Sequence, residues 1–278
     1  MSEMETGHVT ATDGTRIFYR ATVPEKPRGA VIILHGYAEH SGRYAHVMEH
    51  LSADGYGVFA PDHRGHGQTA DLLGYIADFD AIVSDVLLIR SLARARCGDC
   101  PTFLLGHSMG GLITLLHTQR YPTGLNGIIT SAAAIAVPPD IPKLVIKLSH
   151  FLGRIIPKVG IQSFFDADNL TRNRKIQEAV KTDPYFYRGR IRARTGSRIL
   201  RAINTVLASL SSIEAPALIM HGGSDTLVPP ETSDTLHNGI ASADKTLKVF
   251  PEAYHEIFNE PEADEALALV SGWMQERL

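Results

Sequence analysis

Three residues of this chain could together attack a carbonyl carbon and manage the proton that the attack releases: Ser108, Asp225 and His255. Ser108 stands in Gly106-His107-Ser108-Met109-Gly110, a Gly-x-Ser-x-Gly pattern. The apolar run Pro101–Leu105 before it reads as a buried strand, and Gly111–His117 after it as a buried helix. A serine on so sharp a strand-to-helix turn is a nucleophile elbow. The flanking glycines relieve crowding in a strained turn, and the helix that follows turns N–H groups and a positive dipole end toward a developing oxyanion. A serine hydroxyl needs a base to take its proton, and the base needs an acid to hold it. Asp225 follows the apolar run Ala217–Met220, and His255 follows Thr246–Phe250. The chain order serine, acid, histidine, with each residue just past a predicted strand, gathers all three at the carboxyl edge of a parallel sheet. The oxyanion donors are expected from the backbone N–H of Met109, next to the serine, and of Tyr37, in His35-Gly36-Tyr37 after the strand Ala30–Leu34. The Tyr37 side chain is expected only to line the pocket. His35, His63 and His66 read as turn-building histidines, away from the relay.

The elements that must position these residues alternate. Val9–Ala11 and Thr15–Arg20 flank Asp13-Gly14 as a β-hairpin. Strands are predicted at Ala30–Leu34, Val58–Ala60, Pro101–Leu105, Asn126–Thr130, Pro216–Met220 and Thr246–Phe250, and helices at about 44–53, 79–96, 231–238 and 261–278. Strand–helix alternation implies a mostly parallel central sheet flanked by helices. From about Ile135 to Leu210 the alternation breaks into helical segments and turns with no clear buried strand. The division expected is an α/β core of residues 1–134 and 211–278 with a helical cap inserted at 135–210.

At 278 residues and 44% hydrophobic composition the chain can bury a full core, and its formal net charge of −3 argues against a nucleic-acid partner. The polar, acidic start Met1–Thr6 lacks the apolar region of a signal peptide, and no apolar run reaches spanning length. A cytoplasmic protein is expected. Cys97 and Cys100 form Cys-Gly-Asp-Cys in a loop after a predicted helix, the wrong setting for a redox motif. No further ligands stand near for zinc, so they read as two loop thiols. No metal, cofactor or obligate protein partner is expected.

With these motifs in place the chain resembles the monoglyceride lipase and lysophospholipase-like branch of the α/β-hydrolase superfamily. The resemblance runs over nearly the whole chain. It is carried by His35-Gly36-Tyr37-Ala38-Glu39-His40-Ser41-Gly42-Arg43-Tyr44, Asp62-His63-Arg64-Gly65-His66-Gly67-Gln68, Gly106–Gly111, Asp244–Lys248 and Ala253-Tyr254-His255. The first block is the most branch-specific. The resemblance implies an α/β-hydrolase fold and a serine carboxylester hydrolase. Such an enzyme cleaves medium- to long-chain monoacylglycerols to glycerol and fatty acid through an acyl-enzyme, without a cofactor. It implies for Ser108, Asp225, His255, Tyr37 and Met109 the roles already read. A lysophospholipase or a broad esterase is the alternative within the class, and a low-turnover ligand receptor the alternative outside it. The chain departs from animal monoglyceride lipases at Phe258, where they carry a second histidine, and after Asp183-Pro184, where they carry cysteines.

Within the expected cap, Lys143, Lys147, His150, Arg154 and Lys158 are spaced four, three, four and four residues apart. On a helix they fall within an arc of roughly 80°. Leu144, Val145, Ile146, Leu148, Phe151, Leu152, Ile155 and Ile156 fill the rest. A basic stripe on an apolar helix suits a lipid interface, so helix 142–158, ended by Pro157, is expected to touch membranes reversibly. Arg188, Arg190, Arg192, Arg194, Arg198 and Arg201 read as a solvated basic face of the cap.

Overall fold

The computed structural model describes residues 3–136, 151–162 and 167–278. Its first two strands, β1 (Glu5–Thr10) and β2 (Arg16–Thr22), pair antiparallel around the Asp13-Gly14 turn, as the hairpin signal required. The next strand, β3 (Gly29–Leu34), is buried along its whole length, which an uninterrupted Ala-Val-Ile-Ile-Leu run demands. A 3-10 turn at Ser41–Tyr44 leads into α1 (Ala45–Ala53), followed by the buried β4 (Tyr56–Pro61). Helix α2 (Phe79–Cys97) starts on Asp78, whose side chain accepts from the Asp80 N–H, and stops at Gly98, where φ is +75°. Then come β5 (Thr102–His107), α3 (Met109–Arg120) and β6 (Gly127–Ser131).

Between β6 and the next strand of the main sheet lies the segment expected to form the cap. Its described residues are helical over 151–155 (α4) and again in α5 (Arg174–Thr182) and α6 (Ala193–Ala208). They also include an antiparallel pair that the sequence reading missed, β7 (Gly160–Gln162) with β8 (Ile191–Arg192). Strands of three and two residues are too short to show alternation. The chain then returns with β9 (Ala217–Gly222), α7 (Glu231–Gly239), β10 (Lys245–Phe250) and α8 (Ala263–Gln275).

The main sheet runs β1-β2-β4-β3-β5-β6-β9-β10. From β4 to β10 every pairing is parallel, while β2 joins β4 antiparallel. One apolar cluster fills the face under α2, α3 and α6 with Ile32, Leu104, Leu112, Ile203 and Val206. A second fills the face under α1 and α8 with Val31, Met48, Leu105 and Trp273. Each such aliphatic side chain, sealed from water, contributes roughly 1.5–3 kcal/mol. Helix α6 thus shares a core with α2 and α3 instead of standing clear of it. Among the described residues no helix is long and apolar enough to cross a membrane.

The arginines form the expected solvated face only in part: Arg192, Arg194 and Arg198 are half-buried against other segments. Arg192 Nε donates to Leu73 O, Arg194 Nε to Gly153 O and Arg198 Nε to Ala77 O, and Arg188 Nη1 donates to Val180 O and Asp183 O. A guanidinium carries five donors and no acceptor, so carbonyls left over at loop ends suit it; Arg188, Arg190 and Arg201 remain exposed. Cys97 closes α2 and does not lie in the loop, and both thiols are free.

Candidate active site

Ser108 has φ +52° and ψ −114°, a left-handed conformation that few non-glycine residues adopt. The turn is held from both sides. Ser108 N donates to Ser131 O at 2.8 Å, and Ser108 O accepts from Leu112 N and Ala134 N. The elbow glycines are required by contact. A Cβ on Gly110 would lie 1.8 Å from Leu34 O, and one on Gly106 would lie 2.3 Å from Gly110 O. The serine is thereby pushed past the end of β5 with its hydroxyl toward the loops after β9 and β10.

Those loops supply the other two residues. His255 Nε2 is 2.9 Å from Ser108 Oγ, and His255 Nδ1 is 2.7 Å from Asp225 Oδ2. Asp225 Oδ1 accepts from Leu227 N at 2.8 Å and Val228 N at 3.0 Å, which fixes the carboxylate plane. His221, on β9, approaches Asp225 Oδ2 at 3.3 Å. All three members of the relay are buried.

The electrostatics are lopsided in a useful way. Burial alone would raise the Asp225 carboxyl, but His255, His221 and the Val228 N–H overcome it and hold the group well below the usual carboxylate range. Burial alone would lower His255, but the Asp225 charge and hydrogen bond outweigh it, with Glu256 and Glu39 adding to the effect, so His255 is raised above its ordinary value. His107, whose ring lies 4.7 Å from that of His255, is driven the other way, to about 3, by burial and by His255. The pair Asp225–His255 therefore shares a negative charge beside a serine hydroxyl, which is an arrangement for accepting that hydroxyl's proton.

Tyr37 lies in the wall of the cavity over Ser108, together with Gly36, His107, Leu227 and His255, and its hydroxyl donates to Gly74 O at 3.1 Å. Met109 is the first residue of α3, next to Ser108. His35 bridges its own turn and its neighbour's: Nδ1 meets Gly36 O at 2.7 Å, and Nε2 accepts from His63 N at 2.9 Å. Burial pushes His35 well below its ordinary value, His63 to about 3 and His66 to about 4. All three stay apart from the serine, as read from the sequence.

Sequence reasoning passed over three charged residues that the fold brings to the same cavity: Glu39, Arg43 and Glu256. Their four-residue spacing and the adjacency of Glu256 to His255 were visible. A buried cluster of charges cannot be read from spacing when its members come from distant loops. From the expected cap, Phe186 covers Arg43 with its ring 5.3 Å away, and Asp183 pairs with His40 at 2.8 Å. Phe258, the departure from the animal enzymes, is buried in the apolar cluster under α8.

With this geometry in hand, comparison with known proteins gives the family and the fold. Residues 25–262 match the Hydrolase_4 family, described as serine aminopeptidase, S33. The chain is 34% identical to the monoacylglycerol lipase of Mycolicibacterium smegmatis, over 95% of each chain. It resembles the crystal structure of a Paleococcus ferrophilus monoacylglycerol lipase, with a TM-score of 0.84 and 28% identity over 99% of this chain and 100% of that one. It also resembles a soluble variant of the Saccharomyces cerevisiae monoglyceride lipase in complex with a substrate analogue, with a TM-score of 0.86 and 25% identity over 100% of this chain and 95% of that one.

Proposed function

Because this chain belongs to the Hydrolase_4 (serine aminopeptidase, S33) family, we propose that it is a serine carboxylester hydrolase that cleaves medium- to long-chain monoacylglycerols to glycerol and free fatty acid. The observation that carries this reading is the relay from Asp225 through His255 to Ser108, with hydrogen-bond lengths of 2.7 and 2.9 Å on an elbow strained at φ +52°.

In this reading Ser108 Oγ attacks the ester carbonyl carbon while its proton passes to His255 Nε2. The carbonyl π electrons move onto oxygen, and the backbone N–H groups of Tyr37 and Met109 receive the oxyanion. As the carbonyl re-forms, the C–O bond to glycerol breaks, and His255, now an imidazolium held by Asp225, gives its proton to the departing alkoxide. Water, deprotonated by His255, attacks the acyl-serine. Collapse of the second tetrahedral adduct breaks the bond to Ser108 Oγ, which regains its proton from His255, and releases the fatty acid.

The segment 135–210 is the cap that would hold the acyl chain, and its outer helix the part that would meet lipid. Phe151, Ile155 and Val159 are spaced four apart and stand 61%, 60% and 49% exposed, beside exposed Arg154 and Lys158. Apolar side chains that large, left in water with cations next to them, suit an interface with acyl chains beneath and anionic headgroups above. Lys143, Lys147 and His150 of the expected stripe lie outside the described residues.

The test is a kcat/KM profile on monoacylglycerols, lysophospholipids and p-nitrophenyl esters across chain length, with a fluorophosphonate probe on Ser108. Preference for monoacylglycerols supports the reading. Preference for lysophospholipids or short esters would replace the substrate, and a Ser108 that resists the probe would replace the enzyme with a receptor.

A further inference from the structure

The relay is joined on its far side to a second buried array of charges. Glu39 Oε1 accepts from the Gly36 N–H at 2.5 Å and from the Tyr44 hydroxyl at 2.7 Å, and Oε2 accepts from Arg43 Nη1 at 2.9 Å. Arg43 also grips Glu256 with both amino groups, at 2.6 and 2.7 Å, and Asn259 Nδ2 donates to Glu256 Oε2 at 2.9 Å. Glu39 and Glu256 are buried, and the Arg43 side chain is only 9% exposed. Every one of these contacts brings a donor to a carboxylate oxygen, which suits the anionic form of both. Burial and the neighbouring Glu256 charge raise Glu39 above its ordinary value, while Glu256, despite its burial, is held down to about 2 by Arg43. With both ionised, two carboxylates around one guanidinium leave one negative charge, and Glu256 is its firmer seat.

Two features of its placement matter. Gly36 precedes Tyr37, so Glu39 holds the peptide whose next N–H is assigned to the oxyanion. Glu256 follows His255, so Arg43 pins the loop that carries the base to the loop that carries the oxyanion donor. The uncompensated charge also faces the point where positive charge forms. Among the described residues, the ionisable groups around the His255 ring are Asp225 from the loop after β9, His221 from β9 behind it, His107 from the end of β5 and this cluster. His107 is held neutral by burial. Apart from Asp225, the net charge facing His255 therefore comes from the cluster.

We propose that Glu39, Arg43 and Glu256 are positioning residues of the reaction: they lock the oxyanion loop to the histidine loop and supply a second negative charge that steadies the imidazolium formed when Ser108 gives up its proton. Phe186 over Arg43 keeps water from screening that charge. The proposal rests on Ser108 and His255 acting as read above, but not on which ester is the substrate.

The rate of Ser108 inactivation by a fluorophosphonate, followed against pH, tests it without a choice of ester. Glu256→Gln keeps the shape and removes the charge. It should move the acidic limb of the profile down by about one pH unit, the scale of one nearby charge in a protein interior, and lower the plateau about tenfold. Arg43→Lys keeps the charge and loses the two-pronged grip, so it should lower the plateau and raise the acidic limb little. Glu39→Gln, which keeps an acceptor for Gly36, should move the limb in the same direction as Glu256→Gln and stands in for it should that variant not fold. Folded carboxamide variants that lose thermal stability yet keep limb and plateau would make the cluster merely structural and overturn the proposal. Wild-type protein that fails to react would overturn the relay reading and the proposal with it.

Discussion

Replacing Asp225 by asparagine should cost far more than a hydrogen bond. Asp225 Oδ1 accepts from two backbone N–H groups, those of Leu227 and Val228. In Asp225→Asn the amide oxygen must stay there, because an NH2 group would face two donors. The amide NH2 is then left in the place of Oδ2, pointing at His255 Nδ1. That nitrogen must become an acceptor, its proton moves to Nε2, and Nε2 can no longer take the proton of Ser108. The charge is lost as well. Unit charges 2.7 Å apart attract by about 6 kcal/mol at an effective dielectric of about 20, and a neutral hydrogen bond returns about 1 kcal/mol of that. The remainder, about 5 kcal/mol, corresponds to a rate loss of roughly 10³- to 10⁴-fold, the size known for loss of the acid from such a relay. The assay is kcat on a soluble p-nitrophenyl ester, with circular dichroism to show that the variant is folded. A folded Asp225→Asn protein that retains a tenth of wild-type kcat would refute both the pinned-amide argument and the relay.

Other outcomes follow from the same geometry. Ser108→Gly should abolish turnover and stabilise the fold by about 1 kcal/mol, since glycine adopts φ +52° without the left-handed penalty; a lower thermal midpoint than wild type would contradict the strain. His63, His66 and His107 are held neutral with values of about 3, 4 and 3, below the unfolded value. The unfolded chain therefore binds more protons between pH 6.5 and about 4, and stability must fall as pH falls through that window, by about 1.4 kcal/mol per unit for each group. His255, raised by Asp225, has the opposite sign: its contribution is full below the unfolded value and is lost as pH rises through the folded one. A urea midpoint equal at pH 7 and pH 5 would sink the account of the buried histidines. Phe151→Asp with Ile155→Asp should weaken co-sedimentation with anionic vesicles by roughly 10²- to 10⁴-fold, from the loss of about 1.5–3 kcal/mol per side chain, while leaving kcat on a soluble ester unchanged; undiminished sedimentation would remove this helix from the interface.

What could be read in the sequence was whatever a local period or a fixed order encodes. β3 and β9 announced themselves as unbroken apolar runs, and the chain order of Ser108, Asp225 and His255 on strand ends placed them together, since parallel strands bring their carboxyl ends to one edge. The Glu39–Arg43–Glu256 cluster was out of reach because its charges meet across 213 positions of chain, between Arg43 and Glu256. β7 and β8 were missed because their pairing depends on the long connection, with α5 inside it, that brings Gly160 to Arg192, not on any pattern inside them. Arg192, Arg194 and Arg198 departed from expectation for a related reason: their charge was visible, but the carbonyls waiting for them, Leu73 O, Gly153 O and Ala77 O, belong to other segments.

Those same arginines bear on how such proteins could be recombined. Arg192 and Arg198 hold Leu73 O and Ala77 O, Thr195 Oγ1 takes the Ile76 N–H and donates to Gly74 O, and Gly74 O also receives the Tyr37 hydroxyl. The stretch Leu73–Ala77 is thus a shared gasket between α6 and the loop beside Ser108. A chimera that exchanges residues 135–210 for those of a relative would leave this gasket facing strangers. Specificity should transfer between relatives only when the 73–77 stretch travels with the insert, so the unit that can be swapped is discontinuous in sequence.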